Sequence, residues 1–213
     1  MKYRSVLFVP GHEEKKIKKA YTINADLIVL DLESSVPKNE KENAKKTIRN
    51  SNVNKSNTYI RINCNNDLEF VAKEKFKGIF LPFTENKAQL IKLNDKLKNL
   101  EHLKTDIIPI IESKKGIDNL KDIYSYKERI KIISFGSHDL AKSLKIKVSY
   151  NEKEILIYRK IMVKYSIKPI DTSYLNYKDL VGFEKSSTLA KQLGFGGKAC
   201  IHPNQIEIAN SIF

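Results

Sequence analysis

Eight short apolar runs punctuate the chain, at residues 5–9, 27–31, 59–62, 78–81, 107–111, 132–135, 167–170 and 198–201. Nearly every gap between them is long enough for a crossover helix, and several gaps carry helical periodicity. Residues 12–24 place Ile17, Ala20, Tyr21 and Ile23 on one side; Pro37 opens a stretch running to about Asn50; Thr84 stands as a cap before Leu90, Ile91, Leu93 and Leu97. Ser113 can cap the helix after Glu112, residues 151–165 and 179–193 read as two more helices, and His202-Pro203 starts the last. Alternation of this kind predicts a parallel sheet, because parallel strands need long crossovers. The run Leu27-Ile-Val-Leu-Asp31 is apolar throughout, as a strand covered on both faces should be. Eight such units predict an α/β fold: a single (β/α)8 barrel over residues 1–213.

In such a barrel the active site lies at the C-terminal strand ends. Those ends offer Gly11, Asp31, Glu33, Arg61, Asn63, Glu112, Gly136, Asp139, Asp171 and His202. Glu112 and Asp139 close two successive strands, about 4.8 Å apart in such sheets, so the pair can share one hard cation such as Mg²⁺. Taken singly, Asp139 reads as a turn cap and Glu112 as the partner of Lys114. Arg61 interrupts an apolar run and needs an anion: a substrate carboxylate or enolate oxygen, or Glu33 or Glu112. Asn63 follows one strand period later and can orient a ligand oxygen. Asp31 reads either as an outer carboxylate behind a metal-bound water or as a strand-end acceptor for a loop, and Glu33 as a general base. Pro10-Gly11-His12 joins a strand to a helix, where backbone N–H groups can receive a phosphate. His202 reads as a structural hydrogen-bond former, and His102 and His138 as solvated.

Composition narrows the setting. The chain has 213 residues, 41% of them hydrophobic, enough for one core and little else. No apolar run approaches the roughly 20 residues of a membrane span. The first residues, Met1-Lys2-Tyr3-Arg4, lead straight into a strand without a signal-peptide pattern. Two cysteines, Cys64 and Cys200, lack metal-type spacing and read as free thiols of a cytoplasmic protein, with Cys200 packed in a strand. The net charge of +14 is spread over lysines on nearly every helix, with no arginine-rich arm, so nucleic acid is not the expected partner. Such a surface steers anions, carboxylates and phosphate-bearing cofactors among them.

Seven segments, in order, resemble the citrate lyase beta subunit family, within the HpcH/HpaI aldolase and malyl-CoA lyase group. They are Arg4-Ser-Val-Leu-Phe-Val-Pro-Gly11, Ala25 to Pro37, Arg61-Ile-Asn63, Ile110-Ile-Glu112-Ser-Lys-Lys-Gly116, Phe135-Gly-Ser-His-Asp139-Leu, Pro169-Ile-Asp171 and Gly194 to Ile206. The resemblance implies Mg²⁺ on Glu112 and Asp139, and Arg61 on the carboxylate and keto oxygen of a small oxoacid such as oxaloacetate, glyoxylate or pyruvate. It implies that the amides of Gly136, Ser137 and His138 surround that carboxylate. Arg4 and Lys198 stand on the side of a CoA thioester, and the reaction makes or breaks a carbon–carbon bond beside a carbonyl. It also implies a homo-oligomer, a trimer or hexamer.

Three positions depart from the family pattern. Leu-Glu-Asp becomes Leu32-Glu33-Ser34, the Glu before Asp139 becomes His138, and Leu-Pro-Lys becomes Leu81-Pro82-Phe83. The sequence stops soon after Ile206, where longer members continue into a lid that covers a neighbouring subunit's site, so a lid-less short form is expected. Two alternatives follow from these departures: a CoA-independent pyruvate-type aldolase, and a non-catalytic oxoacid-binding subunit.

Overall fold

In the computed structural model, residues 3–100 and 105–213 are described. His102 and the Met1-Lys2 start lie outside them. Eight parallel strands close into one barrel in chain order: β1 (Ser5–Pro10), β2 (Leu27–Asp31), β3 (Thr58–Arg61), β4 (Gly78–Leu81), β5 (Asp106–Ile111), β6 (Ser134–Phe135), β7 (Ile170–Asp171) and β8 (Gly197–Cys200). The helical layer is α1 (Glu14–Ala20), α2 (Lys41–Asn50), α3 (Asp67–Glu74), α4 (Lys87–Asn99), α5 (Lys114–Asp118), α6 (Leu120–Ser125), α7 (Ser137–Leu144), α8 (Leu156–Tyr165), α9 (Leu180–Leu193) and α10 (Asn204–Ile212). Among the described residues, no helix is long and apolar enough to cross a membrane.

The two-residue strand period divides the core into two clusters. Val6, Leu27, Val29, Tyr59, Phe80, Ile108, Ile110, Ile170 and Ala199 fill the barrel, with Phe8 packed on them. Their neighbours Leu7, Ile28, Leu30, Ile60, Ile79, Ile107, Ile111 and Cys200 face the helices. Two strands aim their last inward residue at the mouth, Asp31 after Val29 and Arg61 after Tyr59, and Glu112, just past β5, follows Ile110 there. Phe80 stacks edge-on against both Phe8 and Tyr59, at 5.2 and 5.9 Å, and so forms a floor beneath that mouth.

Several expected boundaries shift for identifiable reasons. Ile107 bridges Ile130, yet Ile110 pairs with Ser134, so the β6 side carries one extra residue and its ladder starts only at Ser134. Lys168 adopts φ +48, which breaks the expected run 167–170; Ile167 is exposed and β7 begins at Ile170. Ile201 leaves the β8 ladder because its N–H donates to Gln205 Oε1 at 2.8 Å. The cap of α4 is Asn86, in a reciprocal capping box with Gln89, rather than Thr84, whose buried hydroxyl donates to Leu81 O. Ser113 does cap α5, accepting from the Gly116 N–H. Cys64 is exposed and Cys200 buried, and neither forms a disulfide.

Candidate functional site

A cavity of about 450 Å³ opens at the C-terminal end of the barrel. Glu33, Arg61, Glu112, Gly136, His138 and Asp139 all line it, together with Phe8, Ser34, Lys142, Thr172 and Ser173.

Arg61 and Asp31 sit opposite each other in the β2–β3 register. Arg61 donates from Nε to Asp31 Oδ1 and from Nη2 to Asp31 Oδ2, both at 2.6 Å, and from Nη2 to Ser34 Oγ at 2.6 Å. Its guanidinium lies 5.2 Å from the centre of the Phe8 ring. Nη1 faces Glu33 Oε2 at 3.4 Å and is the nitrogen least committed within the protein. Burial would raise the Asp31 carboxyl, but the Arg61 hydrogen bonds and charge, with Ser35 and the Glu33 N–H, hold it below the usual range. Asp31 thus has its oxygens filled by Arg61, Ser35 and two loop N–H groups. It is the strand-end acceptor, with no place for a metal-bound water. Lys41 donates to the carbonyls of Leu32 and Glu33, which pins the loop that carries Glu33.

Glu112 is buried, with 5% of its surface exposed, and among the described residues it makes no ion pair. Its Oε1 accepts from the Phe83 N–H at 2.8 Å. Burial pushes its carboxyl up to about 7; the Phe83 N–H and Arg61 oppose that rise, while Asp139 and Glu33 add to it. Lys114, expected beside Glu112, pairs with Asp118 instead. Gly136 carries no side chain where Glu112 needs room: a Cβ there would stand 2.6 Å from Glu112 Cβ and Oε2. Asp139 lies in the first turn of α7 and holds Lys142 Nζ at 2.8 Å. Among the described residues no three His, Cys, Asp or Glu side chains converge as a complete metal cage. Two carboxylates, one of them buried and without an ion pair, match Mg²⁺, which keeps waters and substrate oxygens in most positions.

Other expected site residues lie elsewhere or have their polar groups committed within the protein. Asn63 is exposed beyond the end of β3 and its N–H donates to Asp67 Oδ2, so the strand period no longer aims it inward. The N–H groups of Gly136 and Ser137 are committed to Ile111 O and Thr172 Oγ1, which leaves His138 alone of the expected amide trio. The His138 ring is not solvated: Nε2 donates to Ser173 O at 2.9 Å. Gly11 is packed under β2, where a Cβ would meet Asp31 O at 2.6 Å, and its N–H joins that carbonyl. Arg4 precedes β1, at the opposite end of the barrel, and pairs with Asp26 at 2.8 Å. Lys198 is fully buried on the helix-facing side of β8, bonded to Asp171 at 2.6 Å and Ser186 at 3.0 Å. Asp171 also takes both arms of the buried Arg159. These residues lock β7 and β8 to α8 and α9. His202 is structural: Nδ1 accepts from the Asn204 N–H, and the ring stacks on Tyr177 at 4.7 Å.

A second groove of about 570 Å³ shares Phe8, Pro10 and Ile201 with the cavity. Lys15, Lys16 and Lys19 of α1 and the Tyr177–His202 stack line it. Its basic and aromatic walls come from opposite ends of the chain, so no local sequence signal marks it.

The sequence profile of the HpcH/HpaI aldolase/citrate lyase family matches residues 4–203. The chain is 30% identical to the mitochondrial citramalyl-CoA lyase of Homo sapiens over 243 residues, covering 99% of this chain and 70% of that protein. It is 28% identical to the citrate lyase subunit beta of Leuconostoc mesenteroides subsp. cremoris, covering 99% and 76%. The crystal structure of protein CitE from Mycobacterium tuberculosis, in complex with magnesium, acetoacetate and coenzyme A, superposes with a TM-score of 0.84 at 24% identity, covering 98% of this chain and 79% of that one. At that identity the last likeness is one of fold.

Proposed function

The chain belongs to the HpcH/HpaI aldolase/citrate lyase family, and with that as premise we propose that it cleaves or forms a carbon–carbon bond in a small oxoacid or its hydroxyacyl-CoA adduct, at the cavity of Glu112, Asp139 and Arg61. Its relatives include a citramalyl-CoA lyase and a citrate lyase subunit beta, and the CitE structure of like fold holds magnesium, acetoacetate and coenzyme A. One observation carries the assignment of residues: a buried carboxylate that makes no ion pair, a second carboxylate and one partly free guanidinium line the same cavity, which has room for a small acid and its acyl partner.

Glu112 and Asp139 would hold Mg²⁺, which as a Lewis acid disperses negative charge developing on a substrate oxygen. Arg61, oriented by its fork on Asp31, offers Nη1 to the same oxygen or to the carboxylate. Glu33, beside that nitrogen, takes the hydroxyl proton of the adduct as the carbon–carbon bond breaks. The electron pair leaves on the acyl half as an enolate, which is then protonated. Phe8, Ile110 and Ala199 line the cavity without polar competition and keep that charge away from bulk water.

The α1 groove suits the remainder of a CoA thioester. Its lysines match phosphate charge, and the Tyr177–His202 stack matches a purine face. The groove favours a thioester over a CoA-independent aldolase. Exposed Leu175, Tyr177 and Val181 near the mouth support a homo-oligomer, and two free thiols suit a cytoplasmic setting.

The test is release of pyruvate, glyoxylate or oxaloacetate from the corresponding hydroxyacyl-CoA thioesters, with Mg²⁺ and with chelator. Mg²⁺-dependent release that disappears in Glu112→Gln supports the reading. Release from free acids alone moves the protein to the CoA-independent class, and release from neither overturns the proposal.

A further inference from the structure

Phe83 follows Pro82 just beyond β4, and its backbone is unusual for a bulky residue: φ is +46. Left-handed backbone is unfavourable for a side chain with a Cβ, by about 1 kcal/mol or more. The ring does not explain the conformation, because it is 46% exposed. The main chain does. Leu81 pairs with Pro109 in the β4–β5 ladder, and two residues after Pro82 the Thr84 N–H donates to Ile110 O at 3.1 Å. The buried Thr84 hydroxyl closes back onto Leu81 O at 3.0 Å. Pro82 and Phe83 must therefore arch between two points tied to β5. The arch turns the Phe83 N–H toward Oε1 of Glu112, at 2.8 Å, and its carbonyl toward Gln89 Nε2, at 3.3 Å.

We propose that Phe83 is a positioning residue: its main-chain N–H, aimed by the left-handed turn, clamps Oε1 of Glu112 and so presents Oε2 to the cation. The inference rests on the metal reading given above and deepens it. Oε2 lies 2.6 Å from where a Cβ on residue 136 would be, against the bare face of Gly136 at the start of α7, the helix that carries Asp139. With one oxygen fixed by the arch and the other lodged over a glycine, the carboxylate is held in one orientation. The backbone of residue 83, and not its ring, is the functional element.

The prediction separates side chain from backbone. Phe83→Gly keeps the left-handed turn without strain and should bind Mg²⁺, titrated alone by calorimetry, within about threefold of wild type. Phe83→Val opposes positive φ through its β-branch and should weaken Mg²⁺ at least tenfold. Circular dichroism and the melting temperature establish that both variants fold. Equal affinity in wild type and Phe83→Val, or equal loss in Phe83→Gly and Phe83→Val, overturns the proposal. A second measurement needs no metal: the residue 83 amide proton resonance should shift upfield in Glu112→Ala. An unshifted resonance overturns the clamp. If wild type takes up no Mg²⁺, the metal reading of the previous section fails along with the cation half of this proposal, and the amide resonance still decides whether the clamp exists.

Discussion

Oε2 of Glu112 occupies the space that a side chain on Gly136 would need: a Cβ there would come within 2.6 Å of it. The glycine is not required by its backbone, since its φ of −113 suits any residue. It is required by its neighbour. Gly136→Ala should therefore fold, at about 1–3 kcal/mol of lost stability, and lose at least tenfold in Mg²⁺ affinity by calorimetry. Wild-type affinity in a folded Gly136→Ala would show that Glu112 does not hold the metal in this orientation.

Arg61 has a structural role beneath its chemical one. Asp31 is 1% exposed and its fork onto Arg61 is its ion pair. Arg61→Ala should destabilise the barrel by about 3–5 kcal/mol in chemical denaturation, because it leaves a buried charge without a partner. The double variant Arg61→Met/Asp31→Asn should lose much less. Equal losses would place the destabilisation in packing rather than charge.

The Glu112 carboxyl, pushed up to about 7 from 4.5, makes metal-free stability depend on pH. Between those values the folded state keeps a proton that the unfolded state has released. Stability from this group is thus full below about pH 4.5 and is lost as pH rises through 7, up to about 3 kcal/mol in all. Unfolding in chelator at pH 5 and pH 8 should show wild type losing ground to Glu112→Gln. Mg²⁺ affinity should run the other way, climbing up to tenfold per pH unit to about 7 and then levelling. A pH-independent difference between the two proteins would contradict the assignment.

Lys198 should prove to be a lock rather than a ligand for CoA. It and Arg159 both hold Asp171, and all three side chains are fully buried. Lys198→Met should cost about 3 kcal/mol or more in stability while leaving Mg²⁺ affinity and CoA binding by calorimetry unchanged in the folded fraction. Selective loss of CoA binding would restore the cofactor role.

The barrel was legible because parallel strands covered on both sides read as continuous apolar runs, and a charged residue closing such a run stands out, as Arg61 and Glu112 do. What could not be read was direction and company. Lys198 and Arg61 look alike in a strand, yet the two-residue period sends one into the helical layer and the other into the mouth, and that parity appears only once the strand starts are known. The carboxylate that Arg61 holds, Asp31, lies 30 residues away in sequence and directly opposite in the register. Asn63 lies one period beyond a strand that ends at Arg61, where the strand period no longer sets direction. The arch at Phe83 left no trace, because an aromatic residue carries no signal for positive φ. The capping box at Asn86 has a sequence signature in Asn86 and Gln89, three residues apart, and Thr84 is a competing cap two residues earlier.

The most direct measurement is a calorimetric titration of pyruvate, glyoxylate and oxaloacetate into wild type and Asp139→Ala, each with Mg²⁺ and with chelator. At least one acid should bind wild type in a way that requires Mg²⁺ and is lost in Asp139→Ala while the fold persists. Binding of the same strength in chelator, or in Asp139→Ala, would contradict the claim that Glu112 and Asp139 join a cation to an oxoacid at this barrel's mouth.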